Sequence, residues 1–327
     1  MGVAAAMNAT LRDDAPWLVA DIGGTHLRAA LCGPGAPLHA LATLACADYA
    51  TPRAALADYL TRCGARPMAA CLAVAGAVTG DVFRFTNRAW EFSQTQLRAE
   101  LGLAHLLVRN DFEVLALALP ELMRADVLPI GGGSPRTGCP MLVLGPGTGL
   151  GVATLLPHGD SWLALAGEGG HAGFAPQDDL EIAIAAVLRR ATPRVTNESI
   201  LSGGGLAALY AALALLDGRH AEALVAAQVS TRALDASDAL AVRALDVFCA
   251  VLGAVAGDMA LVTGARGGVY IGGGIAPRLL PFLQGSRFRE RFEAKAAQQA
   301  YVAAIPTQVI VHATPALLGA GVALRTA

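Results

Sequence analysis

Lysine is almost missing from this chain of 327 residues: of its 24 basic residues, Lys295 alone is not arginine. A P-loop needs a lysine straight after its glycines, and a protein kinase needs one on its third strand. Lys295 stands in neither setting, so both classes are excluded. The dinucleotide pattern G-x-G-x-x-G is missing too, which removes the usual dehydrogenase reading. None of the six cysteines forms a C-x-x-C pair. Cysteines scattered in this way fit reduced thiols in the cytoplasm better than a disulfide framework or a zinc site. Net charge is only -2, which argues against a nucleic acid or an anionic membrane as partner. A long uncharged stretch, between Arg136 and Asp160, is broken by glycine and proline, so no membrane helix is expected there. The opening Met1–Ala6 is apolar without a basic start, which predicts no secretion signal.

What is present is a globular composition, 54% hydrophobic, in a chain longer than one core usually supports, so two domains are expected. Trp17 to Ile22 and Leu27 to Cys32 read as strands joined by a glycine turn. Met141 to Leu144 and Leu150 to Leu155 repeat that arrangement around Gly145–Gly149. The recurrence predicts a duplicated architecture, with a hairpin opening each half. Further strands are expected at 68–74, 81–86, 105–108, 268–271 and 308–312. Helices are expected at 52–61, from an N-cap at Ser93 to about Gly102, and at 112–124, 180–190, 205–216 and 233–262. Three more are expected near Arg278, Phe288 and Leu317. The glycine-rich 129–135 reads as a linker or loop. Strands alternating with helices, with hairpins among them, make a mixed α/β fold.

Glycine turns let backbone N–H groups converge on an anion without a lysine. One such turn is explained as easily by a tight hairpin. Two alike, each holding a threonine, point to a polyphosphate gripped from both sides. Asp21 adds to this. An unpaired carboxylate in a buried strand costs on the order of several kcal/mol, so it must meet a cation, an amide array or water. A Mg²⁺ ion arriving on a nucleotide supplies the cation, and capping of the turn amides is the structural alternative.

Asn110-Asp111-Phe112 stands where a short strand gives way to a helix. Asp111 is therefore either an N-cap or a general base at the carboxyl end of a strand. Glu168 and His171, in Gly167-Glu168-Gly169-Gly170-His171, make a poor metal pair but match the hydroxyls of a polyol. Glu198 suits a hydroxyl and a helix dipole equally. Thr86-Asn87 is a further polar pair with an ordinary turn reading.

Taken together and in this order, these segments resemble those of bacterial glucokinases, in the superfamily of hexokinase, actin and the heat-shock ATPases. Asp21-Ile22-Gly23-Gly24-Thr25 resembles their first phosphate motif, and Gly145-Pro146-Gly147-Thr148-Gly149-Leu150-Gly151 their second. Gly267 to Ile275 resembles the segment that ends at the adenosine pocket. Asn110-Asp111-Phe112, Gly167 to His171 and Asn197-Glu198 to Gly203 resemble the sugar-binding segments. The similarity runs from about Trp17 to Arg325. It implies an α/β, two-domain actin-like (ribonuclease H-like) ATPase fold with mixed sheets. The small domain would hold 1–121 plus 312–327 and the large one 122–311, with the active site in the cleft between them. The implied activity is ATP-dependent phosphorylation of D-glucose to glucose 6-phosphate, with Asp111 as catalytic base. Asn110, Glu168, His171, Glu198 and Asn87 would bind the sugar. Asp21, Gly23, Gly24, Thr25, Gly147, Thr148, Gly149, Gly273 and Gly274 would bind ATP. Mg²⁺ would enter with ATP, within reach of Asp21. A cytoplasmic homodimer is implied as well.

There are departures from the family pattern. His26 stands where these kinases usually carry asparagine, and Pro146 takes an amide donor out of the second turn. The zinc motif C-x-C-G-x-x-G-C of the related repressor and sugar-kinase (ROK) family is missing, because Ala172 to Pro176 follow His171. That places the chain with the zinc-free glucokinases. Two alternatives stand beside this reading: a kinase for another hexose, such as mannose, fructose or an amino sugar, and a catalytically silent sugar-sensing regulator. The intact Asp111 speaks against the second.

Overall fold

Residues 15–85 and 88–327 are described by the computed structural model. They divide into two units: the residues up to Leu122 together with His312–Ala327, and Met123–Val311.

The first unit is built on β1 (Trp17–Ile22), β2 (His26–Gly33) and β3 (Ala36–Ala45), an antiparallel meander. On the other side of β1, β4 (Ala69–Val74) and β7 (His105–Asn110) add in parallel, giving the order β3-β2-β1-β4-β7. Central strands are covered on both faces and so need unbroken apolar sequence. Strand β4 reads Ala-Ala-Cys-Leu-Ala-Val and is buried throughout. A separate ribbon pairs β5 (Val82–Arg84) with β6 (Glu91–Ser93). The helix Pro52–Cys63 starts on the Thr51 hydroxyl, which accepts the Ala54 N–H at 3.1 Å, and stops at Gly64 with φ 61°. The last helix, Pro315–Thr326, packs on the helix Asp111–Ala118 and on β1 and β4. A side chain at Gly319 would strike the Val114 carbonyl, so these helices meet backbone to backbone.

The second unit repeats the plan. Strands β9 (Met141–Pro146), β10 (Leu150–His158) and β11 (Ser161–Gly167) form the meander. Strands β12 (Gly268–Ile271) and β13 (Thr307–Ile310) extend β9 in parallel, and β8 (Val127–Gly131) closes the far edge, antiparallel to β13. The helices Gly203–Leu216, Ala226–Leu234 and Ala239–Thr263 pack together in the core. Ala239–Thr263 is long and apolar enough to cross a membrane, yet 78% of its most apolar window is buried inside the protein, as a core helix would be. Lys295 is buried here as well. Its Nζ lies 2.7 Å from Asp258 and donates to the Ala254 carbonyl at 2.9 Å, so the lone lysine is a structural residue.

Several sequence expectations need correction. The segment 129–135 is a strand in part: Pro129 is tolerated in β8 because the strand lies at the edge of its sheet. The helix expected over 112–124 ends at Ala118, with Pro120 in the 3₁₀ turn that follows. The single helix expected over 233–262 is two, because the Asp238 carboxylate caps a new start, accepting N–H groups of Leu240 at 2.8 Å and Ala241 at 3.3 Å. The strand expected over 81–86 runs over Val82–Arg84. Strands β3, β6 and β11 were not foreseen.

Candidate active site

In the first unit, Asp21 and Arg28 face each other across the β1–β2 pair. Arg28 Nη1 donates to Asp21 Oδ2 at 3.2 Å. Asp21 thus meets a cation on its own sheet, in place of the structural alternative of capping the turn amides. Burial lifts the Asp21 carboxyl above the ordinary carboxylate range, and the Arg28 guanidinium opposes that lift only in part. The turn closes with the Gly23 N–H on the His26 carbonyl at 3.0 Å. Gly24, Thr25 and the His26 side chain are exposed.

At the carboxyl end of β7, Asn110 is the N-cap and Asp111 the first helical residue. Asn110 Oδ1 accepts the Phe112 N–H at 2.9 Å and the Glu113 N–H at 3.1 Å. Its Nδ2 donates to the Gly76 carbonyl at 3.2 Å, which leaves one amide proton for another acceptor. Phe112 N–H also lies 3.0 Å from Asp111 Oδ1. Arg109 is occupied by Glu113 at 2.8 Å.

In the second unit the other motifs come together. The Gly147 N–H bonds the Gly149 carbonyl at 2.7 Å, and the Gly147 carbonyl accepts the Gly203 N–H at 2.9 Å. A side chain at Gly145 would overlap the Gly272 carbonyl, and Gly273 takes φ 78° beside the Pro146 carbonyl. The second glycine turn and the Gly272–Gly274 loop are thus in backbone contact, while Thr148 stays exposed. Pro146 still has a structural partner, since its carbonyl faces the Ile275 N–H at 3.4 Å.

The carboxylate of Glu198 accepts the Leu150 N–H at 2.8 Å. Its own N–H donates to the Gly170 carbonyl at 2.9 Å, and Asn197 Nδ2 donates to the Gly169 carbonyl at 3.3 Å. Glu168 and His171 flank that short turn and are exposed. The structure therefore joins Glu168, His171 and Glu198 to the second glycine turn, and it places Asp111 and Asn110 in the unit that carries Asp21. Asn87 lies outside the described residues.

One residue escaped sequence reasoning. Arg88 Nη1 donates to the Gly24 carbonyl at 3.3 Å and Nη2 to the Cys46 carbonyl at 3.1 Å. Its guanidinium carbon lies 4.0 Å from the centroid of the Trp90 ring. It straps the first glycine turn from outside. Only the run Arg88-Ala89-Trp90, a cation two residues from an aromatic, hinted at the stacking. The cysteines are free, and burial pushes the thiols of Cys71 and Cys249 up to about 12 and that of Cys32 to about 11.

Among known proteins, the family model for glucokinase matches residues 18–327. A glucokinase of Chromobacterium violaceum is 47% identical over 314 residues, covering 96% of this chain and 90% of that protein. The glucokinase of Aromatoleum aromaticum is 48% identical, with 96% of each chain covered. The crystal structure of a glucokinase from an Antarctic psychrotroph superposes with a TM-score of 0.87 at 37% identity, covering 95% of this chain and 99% of that one.

Proposed function

The chain belongs to the glucokinase family, and we propose that it transfers the γ-phosphoryl group of ATP to the 6-hydroxyl of D-glucose, with Asp111 as general base. Its actin-like α/β fold is that of its family. The observation that carries the base is local. Asp111 opens its helix directly at the carboxyl end of β7, where open α/β sheets present groups to a ligand, and Asn110 is the N-cap residue beside it.

In this reading Glu168, His171 and Glu198 pair with sugar hydroxyls, and Asn110 offers its remaining amide proton. One primary hydroxyl then faces Asp111, which accepts its proton as the new O–P bond forms and the bond to ADP breaks. The backbone at Gly23, Gly24 and Thr25 and at Gly147, Thr148 and Gly149 holds phosphate oxygens, and Gly273 and Gly274 border the adenosine. Most of the acceleration then comes from positioning and fixed dipoles. A divalent cation fits beside Asp21, a half-buried carboxylate that is already paired with a cation. Among the described residues there is no group of three or more His, Cys, Asp or Glu that would hold a metal by itself. Mg²⁺ would therefore be held by ATP oxygens, with Asp21 directly or through water, and would neutralise phosphate charge. A sugar contact at Asn87 rests on family resemblance alone. A cytoplasmic homodimer completes the proposal, and light scattering and cell fractionation test it.

The central test is ADP release across a panel of hexoses, with Asp111→Asn as control. The substitution should lower kcat by about a hundredfold or more while glucose binding is largely kept. Near-normal turnover would remove Asp111 as the base. Faster turnover with mannose, fructose or an amino sugar would reassign the substrate, and no sugar-dependent release at all would favour a sensor.

A further inference from the structure

We propose that Gly149 and the Leu150 N–H are positioning elements for sugar recognition: the second glycine turn seats the carboxylate of Glu198 as well as a phosphate. This rests on the reading of Glu198 as a sugar ligand.

Three observations carry it. Glu198 Oε2 takes the Leu150 N–H at 2.8 Å, a contact between residues 48 apart in sequence. The place where a side chain on Gly149 would stand is filled by that same carboxylate, so any residue larger than glycine must push Glu198 away. The Gly203 N–H then fastens the segment after Glu198 to the Gly147 carbonyl at 2.9 Å. A phosphate motif has no need of a carboxylate against its own amides, since like charges there oppose anion binding. What the contact does supply is a fixed carboxylate. One oxygen is spent on the turn amide, and Oε1 remains for a sugar hydroxyl. A carboxylate held by a backbone amide loses little freedom when a hydroxyl docks, which favours binding through pre-organisation. Glycine at 149 is thus required by the sugar side of the reaction, independently of any approach of phosphate to the turn. The shared turn also makes the two ligands sense each other, because any shift of the turn moves Glu198.

The test is a double-mutant cycle of Gly149→Ala, Glu198→Ala and both together, read by calorimetric glucose titration without nucleotide and by the KM for ATP. Gly149→Ala should weaken glucose binding by about tenfold or more, as loss of a well-placed charged hydrogen bond does. Glu198→Ala should do the same, and the double variant should bind no worse than Glu198→Ala alone. If Gly149→Ala leaves the glucose Kd within about twofold and raises only the KM for ATP, the proposal fails and Gly149 serves phosphate alone. Effects that multiply in the double variant also overturn it. Normal glucose binding by Glu198→Ala overturns it in a distinguishable way, because the sugar role of Glu198 falls first. If Gly149→Ala does not fold, the double variant decides: recovery of the fold confirms the collision, and failure to recover refutes it.

Discussion

The two hairpins occupy the same place in two sheets of one plan, yet they end differently. Counted from the last cross-strand pair of each, Ile22 with Leu27 and Pro146 with Leu150, Asp21 is the counterpart of Gly145 and Arg28 of Gly151. The first unit puts an ion pair there, and the second puts no side chain at all. The reason lies in the neighbouring parallel strand. In the second unit, β12 runs directly into Gly272–Gly274, whose backbone occupies the space a side chain at Gly145 would need. In the first unit, Asp21 stands beside Ala73 of β4, and its carboxylate reaches Arg28. The turns are also held differently, by the Arg88 side chain in the first unit and by the Gly203 N–H in the second. The function of a glycine turn is therefore set by what stands two residues before it and by what straps it.

The strongest way to break the comparison is to copy one unit into the other. Gly145→Asp places the first unit's carboxylate in the second, where it meets the Gly272 carbonyl and no arginine. The overlap is between Cβ and the Gly272–Gly273 backbone, so no rotamer relieves it, and the charge is buried without the arginine that pairs Asp21. A loss of about 3 kcal/mol or more is expected, seen as a large fall in Tm or as insoluble protein. A variant that melts like the parent would mean that the two turns are interchangeable.

Asp21→Asn gives a smaller and opposite result. Because burial raises the Asp21 pKa above 3.8 in the folded state, the folded protein binds that proton more tightly than the unfolded chain. The stabilising contribution of the protonated form is complete below 3.8 and is lost as pH rises through the folded-state value. Asparagine cannot ionise, so the variant should melt about 1–3 °C above the parent at pH 7 and lose that advantage near pH 4. With the carboxylate in its proposed role beside ATP, activity should fall while stability rises. A variant that is less stable at pH 7 would show that the Arg28 ion pair outweighs desolvation.

The sequence showed most where burial and backbone geometry leave a local mark. The buried strands β4 and β9 are apolar without interruption and β1 is polar only at Asp21, and each glycine turn ends such a run, so both hairpins and the duplication were legible. The Ser93 cap was legible too, and its hydroxyl accepts the Gln96 N–H at 3.1 Å. Strands β3 and β11 were not, because they are outermost and largely exposed, so no alternation of apolar residues marks them. The pattern of β8 was hidden by Pro129 and Gly131, residues that an edge strand tolerates. At the site, residue types were readable but partnerships were not. Nothing local to Glu198 announces a bond to Leu150, and nothing near Arg88 announces two carbonyls, one of them 64 residues earlier in the chain.

Arg88 gives the smallest expected effect and the finest test of the comparison. Its fork spans the Gly24 and Cys46 carbonyls, and its plane rests on Trp90, so it ties the first turn to the start of the 3₁₀ turn at Cys46–Asp48. Arg88→Ala removes two hydrogen bonds and a stacking contact at a partly exposed site, while the Cys46 N–H still holds the Thr25 carbonyl at 2.9 Å. The turn should loosen without unfolding. The KM for ATP should rise about fivefold, with the glucose Kd unchanged, because the second unit's strap is independent. Arg88→Lys should recover only part of the loss, since an ammonium keeps the charge but cannot span both carbonyls or stack. If neither substitution moves the KM for ATP, the first turn holds itself as a tight hairpin does, and its strap is incidental to nucleotide binding.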